Sequence, residues 1–358
     1  MHISGMEKTD KRIQFFRAQL ALWHDTQNFR SFPWKQEKDP YKIWLSEIIL
    51  QQTRSEQGLP YYLKFTEAYP TVTHLADAED ESVFRLWQGL GYYNRCKNLL
   101  FTARVIRDTY GGIFPRDHDT ILQLKGIGSY TAAAIASFAY NAPHAVLDGN
   151  VFRVLARYED IDTPIDTTEG KKTFTALADR FLNRAQPALY NQAIMDLGAT
   201  VCTPQKPDCG HCCLQKQCRA YLNKTQALLP VKSKKIQIRH RTFLFFVCRY
   251  GDRVYIRKRE AGDIWHNLHE FYRIEAEEAE GFRRFRSLFD PYLKSDVLQV
   301  ADIQQKLTHQ HIRSLFYEAE LNAVPDFLDS ALFVPLEKLK KIAFPKTIIS
   351  FLDNKYYF

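Results

Sequence analysis

The chain offers little that would place it in or beyond a membrane. Its opening, MHISGMEKTDKRIQFF, lacks the apolar core of a signal peptide, and the uncharged stretch from Gly128 to Leu147 is interrupted by Asn141, Pro143 and His144. A bilayer span needs about 20 apolar residues in succession, so no membrane association is expected and a cytoplasmic location is. A reducing compartment argues against disulfides for the seven cysteines. Glycine and proline, 15 each, stand at the level of a globular protein, and no internal repeat is evident. At 358 residues the chain exceeds one ordinary core, so two domains are expected. Acidic residues are the minority, 41 against 49 basic, and the net charge of +8 favours polyanionic partners. Much of that excess is local. From Val231 to Arg259 the only acid, Asp252, faces Lys232, Lys234, Lys235, Arg239, Arg241, Arg249, Arg253, Arg257, Lys258 and Arg259.

Up to about Tyr221 the pattern is helical: Trp44, Leu45, Ile48 and Ile49, then Val151, Val154, Leu155 and Tyr158, recur at helical spacing. NKTQALLPVKSKKIQIRHRT, polar and basic around Pro230, has the composition of a linker. TFLFFVCRY and DRVYIRKR, separated by GD, predict strands, and DSALFVPLEKLKKI and PKTIISFLDNKYYF predict helical segments. The expected layout is a helical domain over 7–221, a linker over 222–237 and an α+β domain over 238–358.

CTPQKPDCGHCCLQKQC packs five cysteines into residues 202–218. Cys202, Cys209, Cys212 and Cys218 form C-x6-C-x2-C-x5-C, and four thiolates suit either zinc or an iron-sulfur cluster. Spacing alone does not separate the two. Cys213 fits no gap, and Cys96 and Cys248 are isolated. Upstream, LKGIGSYTAAAIASFAY has the L-x-G-x-G pattern of a helix-hairpin-helix over about 121–140, where Gly126 and Gly128 permit a turn whose backbone N–H groups hold a phosphate. Asp148 immediately precedes a periodic helix, the usual place of a capping Asp. Glu47, in WLSEIILQQT, shares a helix face with Trp44, Ile48 and Gln51, and a carboxyl among apolar neighbours has a raised pKa.

The cysteine gaps, the hairpin and the Asp together resemble the endonuclease III superfamily of DNA glycosylases. PYKIWLSEIILQQT, LWQGLGYYNR, LDGNVFRVLARY and YNQAIMDLGATVCT resemble one family within it, the MutY family of A/G-specific adenine DNA glycosylases, strongly over 10–220 and more loosely beyond. The resemblance implies an all-α helix-hairpin-helix glycosylase domain with an iron-sulfur loop at 202–218, followed by an α+β Nudix-like domain. It implies a 4Fe-4S cluster on Cys202, Cys209, Cys212 and Cys218. It also implies a monomer acting on duplex DNA that carries A:8-oxoguanine or A:G mispairs.

In that family Glu47 would be the acid that protonates adenine N7, Asp148 the anion facing the sugar, and Asn150 a residue that orients the site. Arg30, Phe32, Trp34 and Gln192 would line the adenine pocket, and Gln52 and Tyr92 would wedge into the duplex. Superfamily members that also cut the backbone carry a lysine in GxGxKT, whereas GIGSYT places Tyr130 there. A phenol forms no imine, so a monofunctional glycosylase is expected, with Lys125 on the turn and away from the nucleophile position. KLTHQHI resembles the family's F-S-H-x-H-L loop and carries over Leu307, Thr308 and His309 as readers of 8-oxoguanine. The Nudix box R-E-x-x-E-E-x-G is absent, so this domain is expected to bind and not hydrolyse. WHNLHEFY departs from the family's W-x-G-L-W-E-F-P at Asn267, His269 and Tyr272. The competing readings are a bifunctional glycosylase/lyase, a non-catalytic iron-sulfur DNA-binding protein and a Nudix-type nucleotide hydrolase.

Overall fold

The computed structural model describes residues 2–233, 237–260 and 262–355, with the side chains of 2–9 and 355 outside that description. Lys234 and Lys235 of the basic stretch lie outside the described residues. The chain divides into two compact units, Met1–Asp77 with Asn98–Lys235, and Ala78–Lys97 with Ile236–Phe358. Residues 78–97, expected inside 7–221, thus cluster with the second unit. There Glu81 Oε1 accepts from the Ala343 N–H (3.0 Å), and the Tyr92 hydroxyl lies 2.5 Å from Thr308 Oγ1.

The first unit is built of helices. Those that carry the argument are α1 (His2–Gln27), α2 (Pro40–Leu50), α3 (His118–Gln123), α4 (Ser129–Tyr140), α5 (Gly149–Glu159) and α6 (Pro187–Thr200). Asp39 caps α2, accepting from the Tyr41 N–H, and Pro40 supplies its first residue, where a missing N–H costs nothing. The short alanine-rich side chains of α4 are buried, and α2 packs on that helix. α4 stops at Asn141, whose φ of +53° is left-handed. α5 and α6 approach so closely that a Cβ on Gly198 would lie 2.6 Å from Asn150 Cβ. Phe16 of α1 anchors the core, meeting Tyr158 and Phe181 edge-on at 4.8 and 4.9 Å. Burial of each such ring is worth about 1.5–3 kcal/mol.

The expected linker is docked on the helical unit as far as Ser233. Arg219–Asn223 is helical, Val231 O accepts from the Ile165 N–H, and Ser233 donates to Asp166. These bonds hold the segment up to Ser233 on the helical unit.

The second unit contains strands β1 (Arg239–Tyr250), β2 (Arg253–Tyr255), β3 (Arg257–Lys258), β4 (His269–Glu270), β5 (Tyr272–Glu275), β6 (Leu298–Lys306), β7 (Gln310–Glu320) and β8 (Phe333–Pro335). Its main sheet runs β6-β7-β1-β2-β8, with β5 also paired to β1, while β3 and β4 form a separate pair. β1 and β2 join through the two-residue turn Gly251-Asp252. β1 lies parallel to β7, and Phe243 to Cys248 are all buried, the unbroken apolar run of a strand covered on both faces. On one face Phe246 stacks at 3.7 Å on Phe285 of α7 (Glu278–Phe289). On the other Phe316 stacks at 4.3 Å on Phe351 of α8 (Lys346–Lys355). DSALFVPLEKLKKI is not the expected helix: Phe333 and Val334 pair with Tyr255 and Val254, and only 3-10 turns flank that strand. Among the described residues no helix is long and apolar enough to cross a membrane.

Candidate active site

Three elements of the helical unit bring Glu47, Tyr130 and Asp148 together. Glu47 sits on the buried run of α2, 8% exposed, and burial raises its pKa to about 7. A hydrogen bond from Tyr130, in the first turn of α4, opposes that rise, and the nearby Asp148 carboxyl adds to it. Burial also holds the Tyr130 phenol well above its usual range, so it stays a neutral donor.

Asp148 is both a cap and a site residue by position. Its Oδ1 accepts from the N–H groups of Asn150 (2.9 Å) and Val151 (2.8 Å) at the start of α5, and its Oδ2 accepts from Asn150 Nδ2 (2.7 Å). Burial raises its pKa, while these donors pull the other way. The two carboxyls therefore differ in the way a divided task needs: Glu47 is dry, and Asp148 is held by three donors.

Asn150 is fixed in turn. Arg153 donates to Asn150 Oδ1 (2.8 Å), to Gly198 O (2.6 Å) and to Cys202 O (2.6 Å), linking the carboxylate to the first cysteine of the loop. The sequence reading did not single out Arg153. Its signal was two arginines, Arg153 and Arg157, four residues apart on one face of α5 beside the apolar face that carries Val154 and Tyr158.

A second constellation gathers around Asp196 of α6, which is fully buried. It accepts from Arg30 Nη1 (3.1 Å), Lys35 Nζ (2.6 Å), Asn28 Nδ2 (2.8 Å) and Gln192 Nε2 (3.2 Å). Arg30 and Gln192, expected in one pocket, thus share one anchor. Phe32 stacks on Trp34 with centroids 4.7 Å apart and planes at 5°, and the Arg30 guanidinium lies 5.1 Å from the Phe32 ring. Sequence reasoning missed Asp196 and Lys35.

At the hairpin Gly126 has φ +83° and no room for a Cβ, which would meet Asn98 at 2.7 Å. Gly128 differs. Its φ is −97° and open space surrounds it, so it is an accessible backbone N-cap of α4 and not a turn-maker. Thr102 Oγ1 donates to Lys125 O (2.8 Å) and fixes the turn between α3 and α4. Gln52, exposed just after α2, has a left-handed φ of +55°. In the second unit Tyr92 has φ +50°, and Thr308 and His309 stand exposed on a turn closed by Leu307 N–H to Gln310 O (2.7 Å).

A model of the HhH-GPD superfamily base excision DNA repair proteins matches residues 45–179, and a NUDIX domain model matches 244–354. The adenine DNA glycosylase of Buchnera aphidicola subsp. Baizongia pistaciae is 36% identical over 71% of this chain and 72% of its own. That of Buchnera aphidicola subsp. Schizaphis graminum is 30% identical over 92% of each. The chain belongs to the adenine DNA glycosylase family. The human adenine DNA glycosylase is 41% identical over 58% of this chain and 40% of its own. Among solved structures, a thermostable thymine-DNA glycosylase is 30% identical, with a TM-score of 0.56 over 60% of this chain and 99% of that one. An endonuclease III–DNA complex, 20% identical with a TM-score of 0.52 over 60% and 98%, shares the fold.

Within this family member the helical match contains Glu47, Tyr130 and Asp148, and the second match contains Leu307, Thr308 and His309. Cys202, Cys209, Cys212 and Cys218 all line one cavity of about 30 Å³, and Cys213 does not. Arg157, 2% exposed, closes that cavity, donating to Thr203 O (2.8 Å), Pro204 O (3.0 Å) and Leu229 O (3.1 Å). Burial pushes Cys218 up to about 11, with neighbouring thiols adding to the rise against a backbone hydrogen bond at Tyr221; burial and the thiols of Cys202 and Cys212 raise Cys209, and burial raises Cys202 while Arg157 opposes the rise. Four thiols pooled in one cavity fit a cationic iron or zinc centre that would hold them as thiolates. They are not drawn to ligand spacing: among the described residues no three His, Cys, Asp or Glu side chains are. Cys96 and Cys248 are buried core thiols.

Proposed function

We infer that the chain is a monofunctional adenine DNA glycosylase of base-excision repair. It hydrolyses the N-glycosidic bond of adenine mispaired with 8-oxoguanine or guanine and leaves an abasic site. The carrying observation is the pair of carboxyls, Glu47 with its pKa near 7 and Asp148 held by three donors. Protonated Glu47 gives its proton to adenine N7 as the C1′–N9 electrons move into the base. Asp148 stabilises the positive charge that develops on the sugar. Water then adds at C1′ and its proton returns to Glu47. Tyr130 hydrogen-bonds Glu47 and offers no amine, so no covalent imine forms, and Asn150 keeps Asp148 aimed.

Arg30, Phe32, Trp34 and Gln192 receive the extruded base, and Gln52 and Tyr92 fill the gap it leaves. Gly126 and Gly128 approach a backbone phosphate. The domain over 238–358 reads 8-oxoguanine through Leu307, Thr308 and His309, while the domain over 7–221 performs excision. Cys202, Cys209, Cys212 and Cys218 would hold a 4Fe-4S cluster, which when bound supplies the positive charge that orders the 202–218 loop. The enzyme acts as a cytoplasmic monomer on duplex DNA.

Single-turnover release of adenine from an A:8-oxoguanine duplex tests this reading. Holoprotein should release the base, Glu47→Gln and Asp148→Asn should lower the rate by about 100-fold or more while still binding DNA, and borohydride should trap no adduct. Wild-type rates in both variants would remove the site assignment.

A further inference from the structure

A cleft of about 310 Å³ opens on the helical unit between the end of α1, the end of α4 and the start of α6. It is lined by Lys35, Lys38, Phe138, Asn141, Gln186, Ala188 and Gln192, among others, and among the described residues no carboxylate lines it. Its volume lies at the low end for ligand sites, suited to a small heterocycle. α4 begins at the hairpin and ends here. At 1.5 Å per residue its twelve residues set the cleft about 18 Å along the helix from the phosphate-holding turn.

Gln192 belongs to this cleft and also to the Asp196 constellation that Arg30 shares. Its Nε2 is committed to Asp196, so its Oε1 is the atom left to accept a hydrogen bond, as an exocyclic amine requires. Lys35, held on Asp196 and Arg30 O, forms the adjoining wall. Gln186 can both donate and accept, Asn141, whose Oδ1 accepts from the Ala188 N–H (3.4 Å), offers its Nδ2 as a donor, Gln192 offers its Oε1 as an acceptor, and Phe138 supplies an apolar surface. With Lys35 neutralised on Asp196 and Lys38 donating to Phe138 O (3.3 Å), the wall offers donors for ring nitrogens and an acceptor for an exocyclic amine, the chemistry of a planar purine.

We propose that this cleft is the holding and exit site for the excised base, reached past Gln192 on the side away from the hairpin. The inference rests on the glycosylase reading. A duplex seated on the hairpin bars the way the nucleotide came in, and the cleft gives the free base a path to solvent that does not wait for DNA to leave.

Equilibrium dialysis of full-length holoprotein against free adenine, with and without bound abasic duplex, tests this. Adenine should bind in both states. Ala188→Trp and Gln186→Trp, which fill the cleft, should weaken binding at least about tenfold, and Lys38→Ala should weaken it less. Single-turnover excision should stay within about twofold in all three, and Glu47→Gln should leave adenine binding unchanged. The proposal falls if the filled variants are folded, excise normally and bind adenine like wild type, or if Glu47→Gln alone abolishes binding. Wild-type holoprotein that excises but binds no adenine would also end it. Failure of wild type to excise at all would sink the glycosylase reading instead.

Discussion

Glu47 is most at ease in the folded chain when protonated, because burial raises its pKa from 4.5 to about 7. The folded state therefore binds more protons than the unfolded chain between those values. Stability attributable to this residue is full below about pH 4.5 and is lost as pH rises through about 7. The shift corresponds to about 3 kcal/mol. Glu47→Gln, which cannot ionise, should raise the unfolding free energy by that order at pH 8 and leave it nearly unchanged at pH 4.5, as urea titrations at the two pH values would show. Excision should follow the same titration from the other side, with the wild-type rate falling as pH rises above about 7 because the proton donor is lost. Equal stabilisation at both pH values would mean that Gln merely packs better. Asn267 shows the same economy of residue choice. It stands where the resembling motif has Gly, and its φ of +70° is one that Asn tolerates better than most side chains.

At the scale of elements, the basic stretch around β1 to β3 changes meaning once folded. Arg241 and Arg259 are buried, and Arg241 pairs with Asp263 and Glu275 at 2.7 and 2.6 Å. Glu270 of β4, 2% exposed, pairs with Arg257, Arg259 and Arg273. Three of the ten basic residues that suggested a polyanion, Arg241, Arg257 and Arg259, are thus committed to carboxylates of the second unit. Because removing one partner strands buried charge, Glu270→Ala should cost about 3–5 kcal/mol, read as a lowered urea midpoint, with Glu270→Gln intermediate. What could be read from sequence was whatever acts within one element or motif: Glu47 among apolar neighbours on α2, the cap at Asp148, the glycine turn, the four cysteines. What could not were partners brought from far along the chain. Arg30 and Lys35 meet Asp196 across more than 160 residues, and no local pattern announces a charge that becomes someone else's anchor.

Across the whole molecule, the residues proposed for chemistry and for recognition fall in different compact units: Glu47, Tyr130 and Asp148 in the first, Leu307, Thr308 and His309 in the second. Placing the two tasks in different compact units implies separable losses. His309 is exposed on its turn, so replacing it should leave stability within about 0.5 kcal/mol. If His309 reads the oxidised base, His309→Ala should slow excision opposite 8-oxoguanine and leave excision opposite guanine near the wild-type rate, drawing the two together. Glu47→Gln should instead abolish both, because it removes the proton that either mispair needs. Single-turnover rates on two duplexes that differ only in the base opposite adenine decide the matter. A parallel fall on both duplexes for His309→Ala would assign the loop to general DNA affinity, since a contact blind to the oxidised base cannot change the ratio of the two rates.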